Sequence, residues 1–272
     1  MNSEWQHSFR LYYTSFATCQ MDPLFPGWLQ WHVDLYYLDL SRTGIIDTLP
    51  HWFSKAFNFQ KFNIYTFLTI SSVEVCPQIW KWCLCWEVLA LDSNQLNGPI
   101  PPLPRNLTGL DLSMNSLFGP LPSDFGVPKL IHLVLFSNRF VGSIPESICK
   151  FEQLRIINLA NNFFKGEFPK CYGMTSITTL ELSNNSLSGQ FPPFLQNCTN
   201  LTLLDLGENI FSGSLPVWIG NFERLRLLRL SHNKFSGNIP TGITSLKCLQ
   251  YLDMSDNNVS GSLPRNFMDL PS

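Results

Sequence analysis

Any reaction this chain of 272 residues performs must come from a short run of titratable side chains in its second half. Glu181 and Asp205 occupy matching places in neighbouring segments, and as carboxylates on adjacent strands they would approach the spacing of a retaining glycosidase pair. Asp205 and Glu208 are answered one segment later by Arg229 and His232, then by Asp253 and Asp256, with Arg226 as a further cation. One reading is a charged ligand patch of Glu181, Asp205, Glu208, Arg226, Arg229 and His232, made sensitive to pH by a residue that changes charge near neutrality. The other is a set of cross-strand pairs that relieve like-charge repulsion, each contributing about 0.2 to 1 kcal/mol. Catalysis is not expected. The carboxylates lie on an open surface beside Arg229, and the sequence has no Gly-rich phosphate loop, no Gly-x-Ser-x-Gly and no Ser/His/Asp set at an elbow. Cys83 and Cys85 lack histidine companions for zinc, so neither a metal nor a cofactor is expected. A second candidate surface is the stripe His132, Val134 and Phe136, where other segments carry short polar residues. Exposed aromatics on a rigid sheet make anchors, and a single surface hydrophobe is equally ordinary.

These side chains need a scaffold that returns each of them to the same place, and the sequence supplies one. Its clearest copy reads Leu201-x-x-Leu204-x-Leu206-x-x-Asn209-x-Phe211-x-Gly213-x-Leu215-Pro216. The Asn recurs at Asn94, Asn115, Asn138, Asn162, Asn185, Asn209, Asn233 and Asn257, at spacings of 21, 23, 24, 23, 24, 24 and 24 residues. A fixed period of that size specifies a solenoid, in which each coil buries its apolar face only against its neighbours. Leu180-Glu181-Leu182 and Leu204-Asp205-Leu206 alternate with period two, so each coil opens on a short strand with one face inward. Stacked coils then form a concave parallel sheet with strands about 4.8 Å apart.

Each repeated residue type has a physical task. A buried Asn carries donor and acceptor together and can satisfy backbone groups left over where the chain turns. Gly213, Gly237 and Gly261 suit a left-handed turn, and Pro216, Pro240 and Pro264 close the coil on the convex side, where no ladder donor is needed. Ile219 and Phe222 return to the core. Outward positions line up in two columns: Ala90, Asp111, Val134, Asn158, Glu181, Asp205, Arg229 and Asp253, then Ser93, Met114, Ser137, Asn161, Asn184, Glu208, His232 and Asp256.

Weaker copies start near residues 11, 35 and 59, with Cys19 and Thr43 on the Asn rung of the first two. The sequence therefore predicts about eleven coils, the rest starting near residues 86, 107, 130, 154, 177, 201, 225 and 249. It divides into divergent repeats over 1–64, a degenerate repeat over 65–86 and regular repeats over 87–272. The stretch from Cys76 to Trp86 matches neither flank and reads as a decayed repeat or a short frame-shifted passage.

A net charge of -2 gives no electrostatic reason to expect nucleic acid. Five Asn-x-Ser/Thr sequons, at Asn106, Asn184, Asn197, Asn200 and Asn258, favour a secreted, glycosylated surface. Residues 1–30 hold no basic segment followed by an apolar one, and no apolar run of about 20 residues occurs anywhere. The expectation is an internal stretch of a longer extracellular array. Cys198 falls in a core slot, while Cys149 and Cys171 take nearly equivalent convex positions and form either a bridge or two free thiols.

The repeat resembles the plant-specific leucine-rich repeat over nearly the whole chain. Ala17-Thr18-Cys19-Gln20-Met21 with Phe25-Pro26-Gly27-Trp28-Leu29, Asp47-Thr48-Leu49-Pro50-His51-Trp52-Phe53, and Asn197-Cys198-Thr199 with Leu204-Asp205-Leu206-Gly207-Glu208-Asn209 are more specific. They resemble ectodomains of plant receptor-like proteins of the fungal-elicitor-receptor type. That resemblance implies an α/β solenoid with an irregular or 3-10 convex side, at the extracellular side of the plasma membrane. It also implies a protein or peptide ligand and a co-receptor kinase, with membrane attachment through segments this chain does not contain. The alternatives are a secreted leucine-rich-repeat inhibitor of cell-wall hydrolases and a non-functional remnant of a receptor gene.

Overall fold

The computed structural model describes residues 11–32, 35, 37–52, 87–103 and 105–264. Ten parallel strands form the concave sheet, one per coil. They are β1 (Tyr13–Ser15), β2 (Tyr37–Asp39), β3 (Glu87–Ala90), β5 (Leu107–Asp111), β7 (His132–Val134), β9 (Ile156–Asn158), β11 (Thr179–Glu181), β13 (Leu203–Asp205), β15 (Leu227–Arg229) and β17 (Tyr251–Asp253). The strands stack in chain order. Between β1 and β2, and from β3 onward, each parallel pair is joined by the rest of its own coil.

The junction of β2 and β3 departs from the expected count of eleven. Tyr37, Leu38 and Asp39 pair directly with Val88, Leu89 and Ala90. The Leu40 amide donates to the Ala90 carbonyl at 2.9 Å and the Arg42 amide to that of Asp92 at 3.0 Å. The coil of β2 is therefore the immediate neighbour of the coil of β3, and the coil expected to start near residue 59 lies outside the described residues. Residues 53–86, including the degenerate stretch 65–86 and Cys83 and Cys85, lie outside the described residues.

A second set of parallel strands, absent from the sequence reading, follows the ladder Asn in each regular coil. These are β4 (Asn97–Gly98), β6 (Ser116–Gly119), β8 (Arg139–Gly142), β10 (Phe163–Glu167), β12 (Ser186–Ser188), β14 (Ser212–Ser214), β16 (Lys234–Asn238) and β18 (Asn258–Ser260). They form a five-stranded and a three-stranded sheet. Gly213, Gly237 and Gly261 sit at φ of 82°, 78° and 89°, the left-handed conformation expected of them. The convex side carries 3-10 turns at Glu146–Lys150, Pro193–Asn197, Val217–Asn221 and Thr241–Ser245, and Pro216 and Pro240 lead into the last two.

Two ladders hold the coils in register. One is apolar: Phe140 stacks on Phe164 and Phe211 on Phe235, each pair with centroids 6.2 Å apart. Ile219 and Phe222 are fully buried, as the repeat demands. The other ladder is the Asn column. Asn162 Nδ2 donates to the carbonyls of Leu159 and Ala160 in its own coil and of Leu135 in the preceding one, while its Oδ1 accepts the Phe140 amide. Asn115, Asn138, Asn185, Asn209, Asn233 and Asn257 repeat that pattern. Asn94 reaches back to Leu40 and accepts the amides of Thr43, Gly44 and Ile45, so Thr43 does hold the rung position in its coil. Cys19, on the first rung, is exposed.

Cys149 and Cys171 form a disulfide between adjacent coils on the convex side, with Cα atoms 4.8 Å apart. Cys198 is a free, fully buried thiol that donates to the Met174 carbonyl. Burial pushes its pKa up to about 11, as befits a core residue with no nucleophilic task.

Candidate functional site

Strand register puts the first predicted column together as read. Ala90, Asp111, Val134, Asn158, Glu181, Asp205, Arg229 and Asp253 follow one another across the sheet. Its members do not share one role. Asp111 Oδ1 accepts the Ser113 amide at 2.9 Å and the Ser113 hydroxyl at 2.6 Å. Asp253 does the same with Ser255, Asp205 takes the Gly207 amide, and Asn158 takes the Ala160 amide. A short side chain bonding the backbone two residues on fixes a turn, so these residues shape the scaffold. The sequence signal was Asp or Asn two places before a small residue, as in Leu-Asp-Leu-Ser. Glu181 is one methylene longer and makes no such bond among the described residues. Burial, then the neighbouring Asp205, holds its carboxyl above the usual range.

The second column is not part of the strands. Ser93, Met114, Ser137, Asn161, Asn184, Glu208, His232 and Asp256 all lie at φ between 51° and 57°, in the turn just before the ladder Asn. A left-handed non-glycine residue costs about 1 kcal/mol, and the Asn ladder beneath offsets that strain in every coil. The turn takes these residues out of the strand ladder, and the pairing differs from that expected. Arg229 Nη2 bonds the Glu208 carboxylate, while Nη1 lies 3.5 Å from Asp205 Oδ2 and Nε lies 3.9 Å from Asp253 Oδ2. One guanidinium thus serves three carboxylates, and Glu208 above all holds its proton more firmly. The nearby hydroxyls of Ser231 and Ser255, the latter donating to Asp253 Oδ1 at 2.7 Å, hold Asp253 below the usual carboxylate range, with Arg229 beyond. His232 Nε2 contacts Asp256 at 2.9 Å, so its partner is Asp256 and not Glu208. Arg226 is exposed and makes no ion pair among the described residues.

Beside the charged column runs an apolar one that the sequence reading did not single out. Register aligns Tyr37, Val88, Gly109, His132, Ile156, Thr179, Leu203, Leu227 and Tyr251. Tyr13 extends it, its ring stacked on Tyr37 at 4.2 Å. At Gly109 an added Cβ would meet Val88 Cγ2 at 3.3 Å, so the Val88 side chain fills the space over the glycine. The predicted stripe of His132, Val134 and Phe136 crosses the columns here, each residue half-buried. Burial, then Arg155, lowers the His132 pKa, so the ring is neutral at ordinary pH. Phe136 stands where other coils have the buried small residues Ser113, Ala160, Ser183 and Ser231, which makes it an exception in its row.

Four of the five sequon residues, Asn184, Asn197, Asn200 and Asn258, are exposed, and Asn106 is half-buried. Asn184 Nδ2 donates to Asn161 Oδ1 at 2.9 Å.

A family model described as leucine rich repeat matches residues 175–235, and a second leucine-rich-repeat model matches 106–127, 129–151 and 248–270. Receptor-like protein EIX2 of Solanum lycopersicum is 34% identical over 184 residues, covering 65% of this chain. Receptor like protein 21 of Arabidopsis thaliana is 29% identical over 175 residues, covering 63%. The chain carries leucine-rich repeats and is similar to plant receptor-like proteins. It spans 15% of the length of each of those two relatives. Among solved structures, this leucine-rich-repeat chain is similar to the plant peptide hormone receptor RGFR1 in complex with RGF2. The TM-score is 0.75 and the identity 28%, over 90% of this chain and 36% of that one. It is also similar to the Arabidopsis receptor kinase HAESA in complex with the peptide hormone IDA and the co-receptor SERK1. That TM-score is 0.66 and the identity 26%, over 95% of this chain and 47% of that one.

Proposed function

We propose that the concave sheet recognises a protein or peptide ligand non-covalently, as the extracellular sensing surface of a plant receptor that signals with a co-receptor kinase in defence or development. One observation carries the reading. From β11 to β17 the apolar column Thr179, Leu203, Leu227 and Tyr251 runs beside the charged column Glu181, Asp205, Arg229 and Asp253 on one continuous sheet. An extended chain laid across the strands meets apolar anchors along one edge and charges along the other. That combination supplies both contact area and register. The peptide-hormone complexes of the two related structures support the ligand class, and the SERK1 complex supports the co-receptor.

The test is surface plasmon resonance of the chain against a library of short synthetic peptides. A binder is expected whose affinity falls about tenfold or more on Arg229→Glu or Tyr251→Ala. Val217→Ser, at a residue 79% exposed on the convex side, should leave it unchanged. An empty library screen, or binding indifferent to both concave substitutions, refutes the reading.

A further inference from the structure

Gly207 interrupts a row that the other regular coils fill. Two places after the first concave column stand Asp92, Ser113, Phe136, Ala160, Ser183, Ser231 and Ser255, and the coil of β13 alone has no side chain there. The backbone does not ask for glycine, because Gly207 is not at positive φ. The space above it is in use. A Cβ at Gly207 would lie 3.1 Å from both Cζ and Nε of Arg229 and 3.2 Å from Asp205 Oδ1. Carbon atoms pack at about 3.5 to 4.0 Å, so the guanidinium occupies room that a side chain would take. From that position Arg229 bonds Glu208 and lies beside Asp205 and Asp253. It is the one cation in the column from Ala90 to Asp253, and its side chain is only 27% exposed.

Glu181 is left without an answer. It lies between Asn158 and Asp205 in register, is half-buried, and has no hydrogen bond or ion pair among the described residues. Granted peptide recognition by the sheet, we propose that Gly207 is a specificity-determining position: it lets Arg229 lie down among its carboxylates, so that the ligand segment crossing β11 meets Glu181 as an uncompensated anion and carries a lysine or arginine there. Gly207 is a positioning residue, since it acts through Arg229. Charge complementarity selects the ligand group. A cation at Glu181 gains a charge-assisted hydrogen bond, whereas an anion there faces Glu181 and Asp205 with no cation free to answer it. The neighbouring column narrows the choice to a long cationic side chain. Thr179 and Leu203 flank the place in register, and the methylene stem of a lysine or arginine covers such surface while its head pairs.

Two measurements on the secreted, glycosylated chain test this. The first needs no ligand: magnetic resonance of isotope-labelled arginine. A clamped Arg229 should give separate Nη signals, because rotation about Nε–Cζ is slowed, where a free guanidinium gives one averaged signal. Gly207→Ser, which copies Ser183 and Ser231 at the equivalent places, should merge them, and so should Glu208→Gln. The second is surface plasmon resonance against the short-peptide library, each lysine-containing peptide paired with a counterpart that has glutamate in its place. Binders of the parent chain are expected to weaken about tenfold or more on that exchange. Glu181→Gln should shrink the difference to about threefold or less, and Gly207→Ser should reduce it as well. An averaged Arg229 signal in the parent, or separate signals that survive Gly207→Ser, overturn the role of Gly207. Binders indifferent to the exchange, or a preference that neither variant moves, overturn the cationic ligand and leave the sheet a peptide-binding surface. An empty library screen refutes recognition by the sheet and the ligand assignment with it.

Discussion

Breaking the Cys149–Cys171 bridge has an effect whose size can be worked out beforehand. The bond closes a loop with a sequence separation of 22 residues. In the chain-entropy treatment a loop of that length removes about 11 cal/mol/K from the unfolded ensemble, or about 3 kcal/mol at 25 °C. The location makes the estimate usable. Cys171 is 1% exposed, and its convex segment, unlike those of the adjacent coils, has no 3-10 turn between β10 and β11. The bridge therefore stands in for a missing element. The double variant Cys149→Ala/Cys171→Ala, with the reduced parent as control, should lose about 3 kcal/mol in denaturant unfolding. For a domain of this size that corresponds to a fall of roughly 6 to 12 °C in thermal midpoint. Because coils couple only to neighbours, hydrogen exchange should accelerate first in the coils of β7, β9 and β11. A midpoint unchanged by reduction, or a loss spread evenly along the solenoid, would show that the convex packing holds this segment without the bond.

Other perturbations separate scaffold from surface. Asn162→Ala strands the Phe140 amide and three carbonyls in a site where the Asn is 6% exposed, and should cost about 3 kcal/mol in denaturant unfolding; less than about 1 would mean the ladder is not a principal support. Gly220→Ala places a Cβ 2.5 Å from the Gly242 carbonyl oxygen, so the two convex turns must separate. A loss of about 1 to 3 kcal/mol is expected, and a neutral thermal melt would show that this layer yields freely. Glu181 and Asp253 should respond to pH in opposite senses. The folded pKa of Glu181 is raised, so its burial penalty is absent below the unfolded value and appears as pH rises through the range up to the folded one. Glu181→Gln is therefore expected to raise the midpoint at pH 7 but not at pH 3. The folded pKa of Asp253 is lowered, so its contribution is present above the unfolded value and lost as pH falls through the folded one. Asp253→Asn should lower the midpoint at pH 7 and not at pH 2, and the same sign for both variants would contradict the assignment.

The sequence made the solenoid, the Asn ladder and the first concave column readable because each rests on a residue type that recurs at one fixed place. A buried Asn or a left-handed Gly has few substitutes, so position and physics coincide. Three features escaped for the opposite reason. The second sheet uses residues such as Ser212 and Ser236, whose side chains carry no strand signature; only the backbone after the turn reveals it. The left-handed column tolerates Met114, Glu208 and His232, so the usual marker of positive φ is missing, and the pairing of Glu208 with Arg229 was hidden with it. The apolar column runs through Ile156, Thr179, Leu203, Leu227 and Tyr251 with no residue type fixed at its place, so periodicity reads it as generic strand. Variation on a constant frame marks recognition surfaces and also makes them hard to read.

The direct pairing of β2 with β3 bears on how such arrays change length. Residues 53–86 separate Trp52 from Glu87 in sequence, yet the Gln95 amide finds the Ile45 carbonyl at 2.9 Å and the Asn97 amide that of Asp47 at 2.8 Å. Rise along the axis is therefore counted in rungs and not in residues. At this seam the stack of described coils continues from the coil of β2 to that of β3 across the 34 residues of sequence from 53 to 86. The seam is a splice point in the mechanical sense, where inherited length and spatial length come apart.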